Sequence, residues 1–325
     1  MTVLSVEGLR TEFRIGGVWY PAVKDVSFAL ARNETLALVG ESGCGKSMTA
    51  LSIMGLVPAP AGRIAAGRIV LEGREITGLP EAELERIRGD RVAMIFQEPM
   101  TSLNPVMTVG DQVAEPLIRH RGLSRREALK QALALLEEVK IPSAAARLSE
   151  YPHQFSGGMR QRVMIAMALA CEPAVLLADE PTTALDVTIQ AQVLGLLADL
   201  RARHGTAVLF ITHNLGVVAQ IADRVAVMYA GEIVEEGPVE AIFAAPGHPY
   251  TRALFATIPR MDRVGQDLAA IPGRVPALDS MPQGCRFAPR CPLRRDGCER
   301  DQALVAVDEG HRVRCHVTTG ALADA

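Results

Sequence analysis

The sequence predicts an α/β fold with a parallel core, an antiparallel strand region at its front, a helical insertion and a small Cys/Pro-rich C-terminal extension. Three observations carry this. Strand-like runs (VLSVEGL, AVKDVSFAL, TLALVG, RIVLEG, RVAMIFQ) alternate up to Gln97 with a helix that opens at Lys46. Between Gln97 and Ser156 the pattern changes to helical spacing, as in SRREALKQALALLEEV, over about 60 residues, too long for a connecting loop. The α/β alternation then resumes with AVLLADE, a helix from about Thr188 to His204, AVLFITH and RVAVMYAGEIVEEG, and fades after residue 240 as proline increases. The expected divisions are a core at 1–97 and 161–240, a helical subdomain at 98–160 and an extension at 241–325.

Bulk properties exclude several classes. A chain of 325 residues, 49% hydrophobic and 22% charged, is an ordinary globular protein. Its net charge of −3 provides no whole-chain attraction to nucleic acid, so no nucleic-acid partner is expected. The basic cluster Arg119, Arg121, Arg125, Arg126 and Lys130 reads as a solvated helix face. The start, MTVLSVEGLRTEFR, has no secretory pattern, so a cytoplasmic location is expected. VMIAMALAC and VLFIT fall far short of the run of about 20 apolar residues that spans a bilayer. Any membrane role therefore needs other chains.

Chemistry begins at GESGCGKS. Gly40, Glu41, Ser42, Gly43, Cys44, Gly45, Lys46 and Ser47 fit G-x-x-x-x-G-K-[ST], and Met48 continues the helix that follows. Small residues let successive N–H groups curl around a phosphate chain, with the helix's positive end aimed at the same anion. Lys46 is placed to reach the terminal phosphates of a nucleoside triphosphate, and the Ser47 hydroxyl to enter a Mg²⁺ shell. AVLLADE delivers Asp179, a second Mg²⁺ ligand, and Glu180, which can orient or deprotonate the attacking water. His213 ends a second apolar strand and could contact the γ-phosphate, although alone it reads more readily as a structural histidine. In FSGGM, the residues Ser156, Gly157, Gly158 and Met159 open another helix and offer a second anion site. That second site lies beyond the insertion, which suggests a head-to-tail pair of chains, each closing the other's nucleotide site.

Together these residues resemble the ATP-binding cassette (ABC) ATPases: GESGCGKS as Walker A, LLADE as Walker B, FSGGM for LSGGQ, Gln97 as Q-loop, TALD (183 to 186) as D-loop and His213 as H-loop. The resemblance implies ATP sandwiched between two cassettes, with Ser156, Gly157, Gly158, Met159 and Asp186 acting in trans. It also implies Gln97 among the Mg²⁺ ligands, with Glu180, His213 and Gln97 in the catalytic set. It makes Phe13 the adenine-stacking aromatic, with Trp19 and Tyr20 as rivals. YPHQFSGGMRQRVMIAMALA, ADEPTTALDVTIQAQ and GHPYTRALFATIP are similar to the D-type ATPase subunit of dipeptide and oligopeptide importers, a group that includes nickel systems. Implied partners are a second ABC ATPase (itself or a similar chain), two transmembrane permease subunits and an extracellular or periplasmic substrate-binding protein. The implied place is the cytoplasmic face of the cell membrane. A soluble ABC ATPase acting on DNA or ribosomes is the alternative, but the expected coiled coils, paired cassettes or basic insertions do not appear. Two departures stand out: Met159 for the signature's Gln, which is common in this group, and Asn214 for an Asp.

Two expectations concern cysteines. Cys44, beside Lys46 and a helix start, is expected to be an accessible thiolate that MgATP shields. Cys285, Cys291, Cys298 and Cys315 are spaced C-x5-C-x6-C-x16-C, and in a reducing compartment four thiolates suit zinc or an iron–sulfur cluster. The family resemblance points to a [4Fe-4S] cluster, with Zn²⁺ as the alternative and His311 and His316 as additional ligand candidates.

Overall fold

The computed structural model describes residues 1–97, 102–183, 185–257 and 271–320. Ala184 of the TALD stretch and residues 258–259 of GHPYTRALFATIP lie outside them. The chain divides into two compact units, one of Met1–Leu4, Leu30–Glu34 and Leu71–Phe210, the other of Ser5–Ala29, Thr35–Val70 and Ile211–Ala325.

The unit that carries the phosphate loop is built on strand Thr35–Val39, buried at all five positions. It pairs in parallel with Arg224–Tyr229, Leu36 opposite Arg224 and Val39 opposite Val227. Burial on both faces explains why these strands read as unbroken apolar runs rather than alternating ones. Outward from Arg224–Tyr229 the pairing turns antiparallel, through Glu232–Pro238, His311–Val313 and Val305–Asp308. The sheet is therefore mixed, and its last two strands come from the C-terminal extension. Strand Thr2–Ile15 lies between Val18–Ala31 and Gly62–Leu71, and most of each belongs to this unit. Gly16 and Gly17 join the first two, both at positive φ (57° and 86°), the backbone a two-residue hairpin turn demands.

The proline-rich extension packs onto the core of the sheet. Phe287, 1% exposed, enters one apolar cluster with Val39, Val227, Tyr229, Tyr250 and Leu254 from the sheet and its flanking helix, and Cys285 and Cys291 pack against that cluster. A short segment gains a core by sharing one.

In the other unit, Val92–Ile95 pairs in parallel with Val175–Asp179. Helices form where the periodicity places them. Thr108 caps Val109–Arg121, and a Ser124–Glu127 capping box opens Arg125–Glu138. Both pack on Gly157–Leu169. Helix Val187–His204 begins at the Asp186 cap and stops at Gly205, whose φ of 65° suits glycine. The basic residues of this unit are largely committed to ion pairs: Arg119 with Glu85, Arg121 with Asp90 and Arg125 with Asp111.

Helix Pro249–Ala256 has an unusual cap. His248 Nδ1, buried, accepts the Tyr250 N–H at 3.0 Å. That bond needs a neutral ring; burial first, then the charges of Arg314 and Arg252, push the His248 pKa down to about 3. The unfolded ring titrates near 6.5, so below that pH the unfolded chain binds the extra proton. The stability this site contributes is complete above about 6.5 and is lost as pH falls toward 3, at up to about 1.4 kcal/mol per pH unit. His248→Asn, which keeps an acceptor at the cap, should remove one proton's worth of this dependence in urea titrations between pH 6.5 and 4. An unchanged slope would show that His248 does not titrate this way.

Candidate nucleotide site

The phosphate loop leaves strand Thr35–Val39 and enters helix Lys46–Ile53. Two of its glycines are dictated by close approach. A Cβ at Gly40 would lie 2.1 Å from the Met228 carbonyl oxygen, and one at Gly45 (φ 102°) would lie 2.9 Å from Met228 Cε and 3.0 Å from the Ala22 oxygen. The Cys44 carbonyl accepts the Gly231 N–H at 2.7 Å, tying the loop to the next turn. Lys46 is 5% exposed, and its Nζ donates to the Gly40 and Glu41 carbonyls at 2.8 and 3.0 Å. Glycines that no other residue can replace, an ammonium drawn over the loop and a helix start behind it make a cradle suited to a polyphosphate. Ser47 and Met48 stand in the helix's first turn, half-buried, while Ser42 and Gly43 are exposed at the loop's rim.

Two residues that sequence reasoning did not place at the site meet Glu41. The Tyr250 hydroxyl accepts the Glu41 N–H at 2.9 Å, and Arg290 donates to both carboxylate oxygens at 2.7 and 3.0 Å. Tyr229 stands behind them, its hydroxyl 3.4 Å from Arg290. GHPYTRALF is a visible signal for Tyr250 but only as a family marker; nothing local announces Arg290.

Cys44 corrects an expectation. It is 1% exposed, and burial pushes its thiol up despite Lys46 nearby, so it is not the accessible thiolate that its neighbours in sequence suggest.

The acidic residues belong to the other unit. Asp179 ends a fully buried strand and is itself buried. Glu180 follows at a φ of 46°, unusual for a side chain this large and the kind of strain that collects at functional sites. Its Oε2 accepts from the Gln97 amide at 3.3 Å and from the Thr183 hydroxyl at 2.9 Å. Ser156 caps Gly157–Leu169 through the Met159 N–H at 3.4 Å, and Asp186 caps its helix through the Ile189 N–H at 2.9 Å. A Cβ at Gly157 would meet nothing within 4 Å, whereas one at Gly158 would strike Ile189. The signature thus presents an open helix end.

His213, in the loop unit, is exposed after its strand. Asn214, the departure from the family pattern, caps helix Leu215–Ile221 by accepting the Gly216 N–H at 3.0 Å. Among the aromatic candidates, Trp19 has its face covered by Arg63 at 4.2 Å, Tyr20 is half-buried, and the Phe13 ring lies against Gly62.

Of the four C-terminal cysteines, Cys285 donates its N–H to the Cys298 carbonyl at 2.9 Å. Burial, followed by the charges of Cys298, Cys315 and Cys291, pushes Cys285 up to about 12. Among the described residues, no group of three or more His, Cys, Asp or Glu is drawn together to hold a metal ion. His311 and His316 are spoken for: His311 bonds Glu235 at 2.8 Å and His316 bonds Gln302 at 2.8 Å.

Comparison with known proteins agrees with this geometry. Residues 23–183 match the family model described as ABC transporter, and residues 234–298 match the C-terminal region of the oligopeptide/dipeptide transporters. The dipeptide transport ATP-binding protein DppD of Bacillus subtilis is 51% identical, covering 96% of this chain and 94% of its own. The chain belongs to the ATP-binding proteins of the dipeptide/oligopeptide ABC importers. A second member, the oligopeptide transport protein AppD of the same organism, is 52% identical over 97% of this chain and 96% of its own. An ATP-binding cassette solved as a dimer in a post-hydrolysis state with ADP and Pi is 30% identical, with a TM-score of 0.65 over 73% of this chain and 98% of that one. The two Bacillus subtilis relatives match this chain through the extension, whereas the solved cassette matches 73% of it.

The burial of Cys44 makes a direct prediction. Maleimide should leave it unmodified in the native protein at neutral pH, with or without MgATP, and label it only after unfolding. Rapid native labelling mapped to Cys44 would contradict this placement.

Proposed function

We propose that this chain is the ATPase subunit of a peptide importer, binding MgATP at Gly40–Ser47 and coupling its hydrolysis to uptake of dipeptides or oligopeptides. The observation that carries the proposal is full-length similarity to dipeptide and oligopeptide transport ATP-binding proteins, extension included, joined to a phosphate cradle built as described. Lys46 exchanges its carbonyl partners for terminal phosphate oxygens as ATP enters, and the loop's N–H groups bind the chain of phosphates. Ser47, Gln97 and Asp179 would hold Mg²⁺, which would supply positive charge to neutralise the phosphates. Glu180 takes a proton from the attacking water as the terminal phosphoryl group leaves ADP; Gln97 and Thr183 hold the carboxylate in place. His213 contacts the γ-phosphate, and Phe13 stacks on adenine.

The open start of helix Gly157–Leu169 supports a second cassette, with Ser156, Gly157, Gly158, Met159 and Asp186 acting on the partner's nucleotide. Among the described residues no helix is long and apolar enough to cross a membrane. Translocation is assigned to two permease subunits, fed by a substrate-binding protein, with this chain peripheral on the cytoplasmic face. A soft metal or [4Fe-4S] cluster at Cys285, Cys291, Cys298 and Cys315 belongs to the same proposal, supported by the donor set itself, four cysteine sulfurs between residues 285 and 315.

Glu180→Gln should retain MgATP but slow hydrolysis by about 10² to 10⁴. Near-normal turnover at saturating ATP would remove Glu180 from its role. Metal analysis of anaerobically purified protein checks the cysteines: about four irons per chain indicates the cluster, one zinc the alternative, and neither ends both.

A further inference from the structure

The stretch between Cys285 and Cys291 reaches the phosphate loop by three routes. Arg290 forks onto the Glu41 carboxylate at 2.7 and 3.0 Å. Phe287 packs edge-on against Tyr229 and beside Tyr250, ring centres 5.1 and 5.3 Å apart, and the Tyr250 hydroxyl takes the Glu41 N–H. Arg286, 4% exposed, donates to the Ala230 carbonyl, in the turn whose Gly231 N–H holds the Cys44 carbonyl. The loop is thus gripped at both ends by five consecutive residues about 250 positions away in sequence.

Glu41 is the part of this arrangement that calls for explanation. A carboxylate in a loop that binds polyphosphate is electrostatically adverse: a like charge a few ångströms from the ligand weakens binding unless it is neutralised. Arg290 does that with both terminal nitrogens of its guanidinium. Its side chain is 4% exposed, and the guanidinium is oriented by the Pro272 carbonyl (2.8 Å) and the Ile271 carbonyl (3.2 Å). Such a planar, bidentate, pre-aimed pair is what arginine provides and lysine does not.

We propose that Arg290 is a positioning residue for nucleotide binding: it neutralises and aims Glu41, so the cysteine-bearing turn sets the affinity of the phosphate loop. This rests on Gly40–Ser47 being the MgATP site. It assigns the extension a direct part in nucleotide affinity, which its distance in sequence from the nucleotide motifs does not suggest. Disturbing the turn, as by modifying Cys285 or Cys291, acts through the same contacts.

The test is titration of the full-length chain with MgATP by calorimetry, comparing wild type, Lys46→Ala, Arg290→Met, Arg290→Lys, Glu41→Gln and the pair Glu41→Gln/Arg290→Met. Arg290→Met should weaken MgATP binding by about tenfold at low salt, and by less as ionic strength rises. Arg290→Lys should recover only part, lacking the fork. Adding Glu41→Gln to Arg290→Met should return the affinity to within about threefold of Glu41→Gln alone, because the uncompensated charge is gone. A merely structural role predicts no such rescue and no salt dependence. If wild type binds and Lys46→Ala does not, yet Arg290→Met binds like wild type or the pair is no better than Arg290→Met, the positioning role is overturned. If Arg290→Met does not fold, the pair decides: an affinity matching Glu41→Gln supports the role, and a weaker one overturns it. Absence of MgATP binding by wild type overturns the nucleotide site and this role with it.

Discussion

The closeness with which the 40–47 loop lies against the end of strand Arg224–Tyr229 governs the rest of the nucleotide site. At Gly40 there is no room for a single additional carbon beside the Met228 carbonyl, and at Gly45 the Ala22 carbonyl and the Met228 methyl close in together. Parallel pairing of Thr35–Val39 with Arg224–Tyr229 makes that approach possible, because it brings the two strand ends to the same level. Once the loop is pressed there, its carbonyls turn inward to Lys46 and its rim, Ser42 and Gly43, faces outward.

Charge then has to be arranged around a surface built for anions. Lys46 occupies the loop's own carbonyls, a store of positive charge that can be redirected without folding anything new. Glu41 is held in check by Arg290, and the neighbouring Glu232 by Lys24 at 3.2 Å and Arg286 at 3.6 Å. The C-terminal extension therefore completes the electrostatics of the loop as well as the hydrophobic core beneath it. This physical link makes the extension more than an addition to a finished cassette.

Much of this is legible in the sequence because it is local. The strand–loop–helix context of GESGCGKS, the capping residues Ser124, Ser156 and Asp186, the stop at Gly205 and the acidic strand end at Asp179 and Glu180 all depend on neighbours a few positions away. What is not legible depends on distant partners. Cys44 reads as exposed from its neighbours, yet it is buried, with Lys46 Nζ against its sulfur and Gly40 packed close by. Asn214 reads as a lost charge, and the fold uses it as a helix cap. The extension reads as irregular because His311–Val313 and Val305–Asp308 are too short to show alternation, although they continue the sheet. Arg290 sits in a Pro/Cys-rich stretch where an arginine carries no periodic signal at all.

Hydrogen–deuterium exchange of the full-length chain with and without MgATP tests the central claim most directly, that one loop binds the nucleotide and the C-terminal turn holds that loop. Adding MgATP should slow exchange at residues 40–48 together with residues 285–291, and should change neither in Lys46→Ala. Protection elsewhere in the chain with residues 40–48 unaffected, or at 40–48 while 285–291 exchange as before, would contradict it.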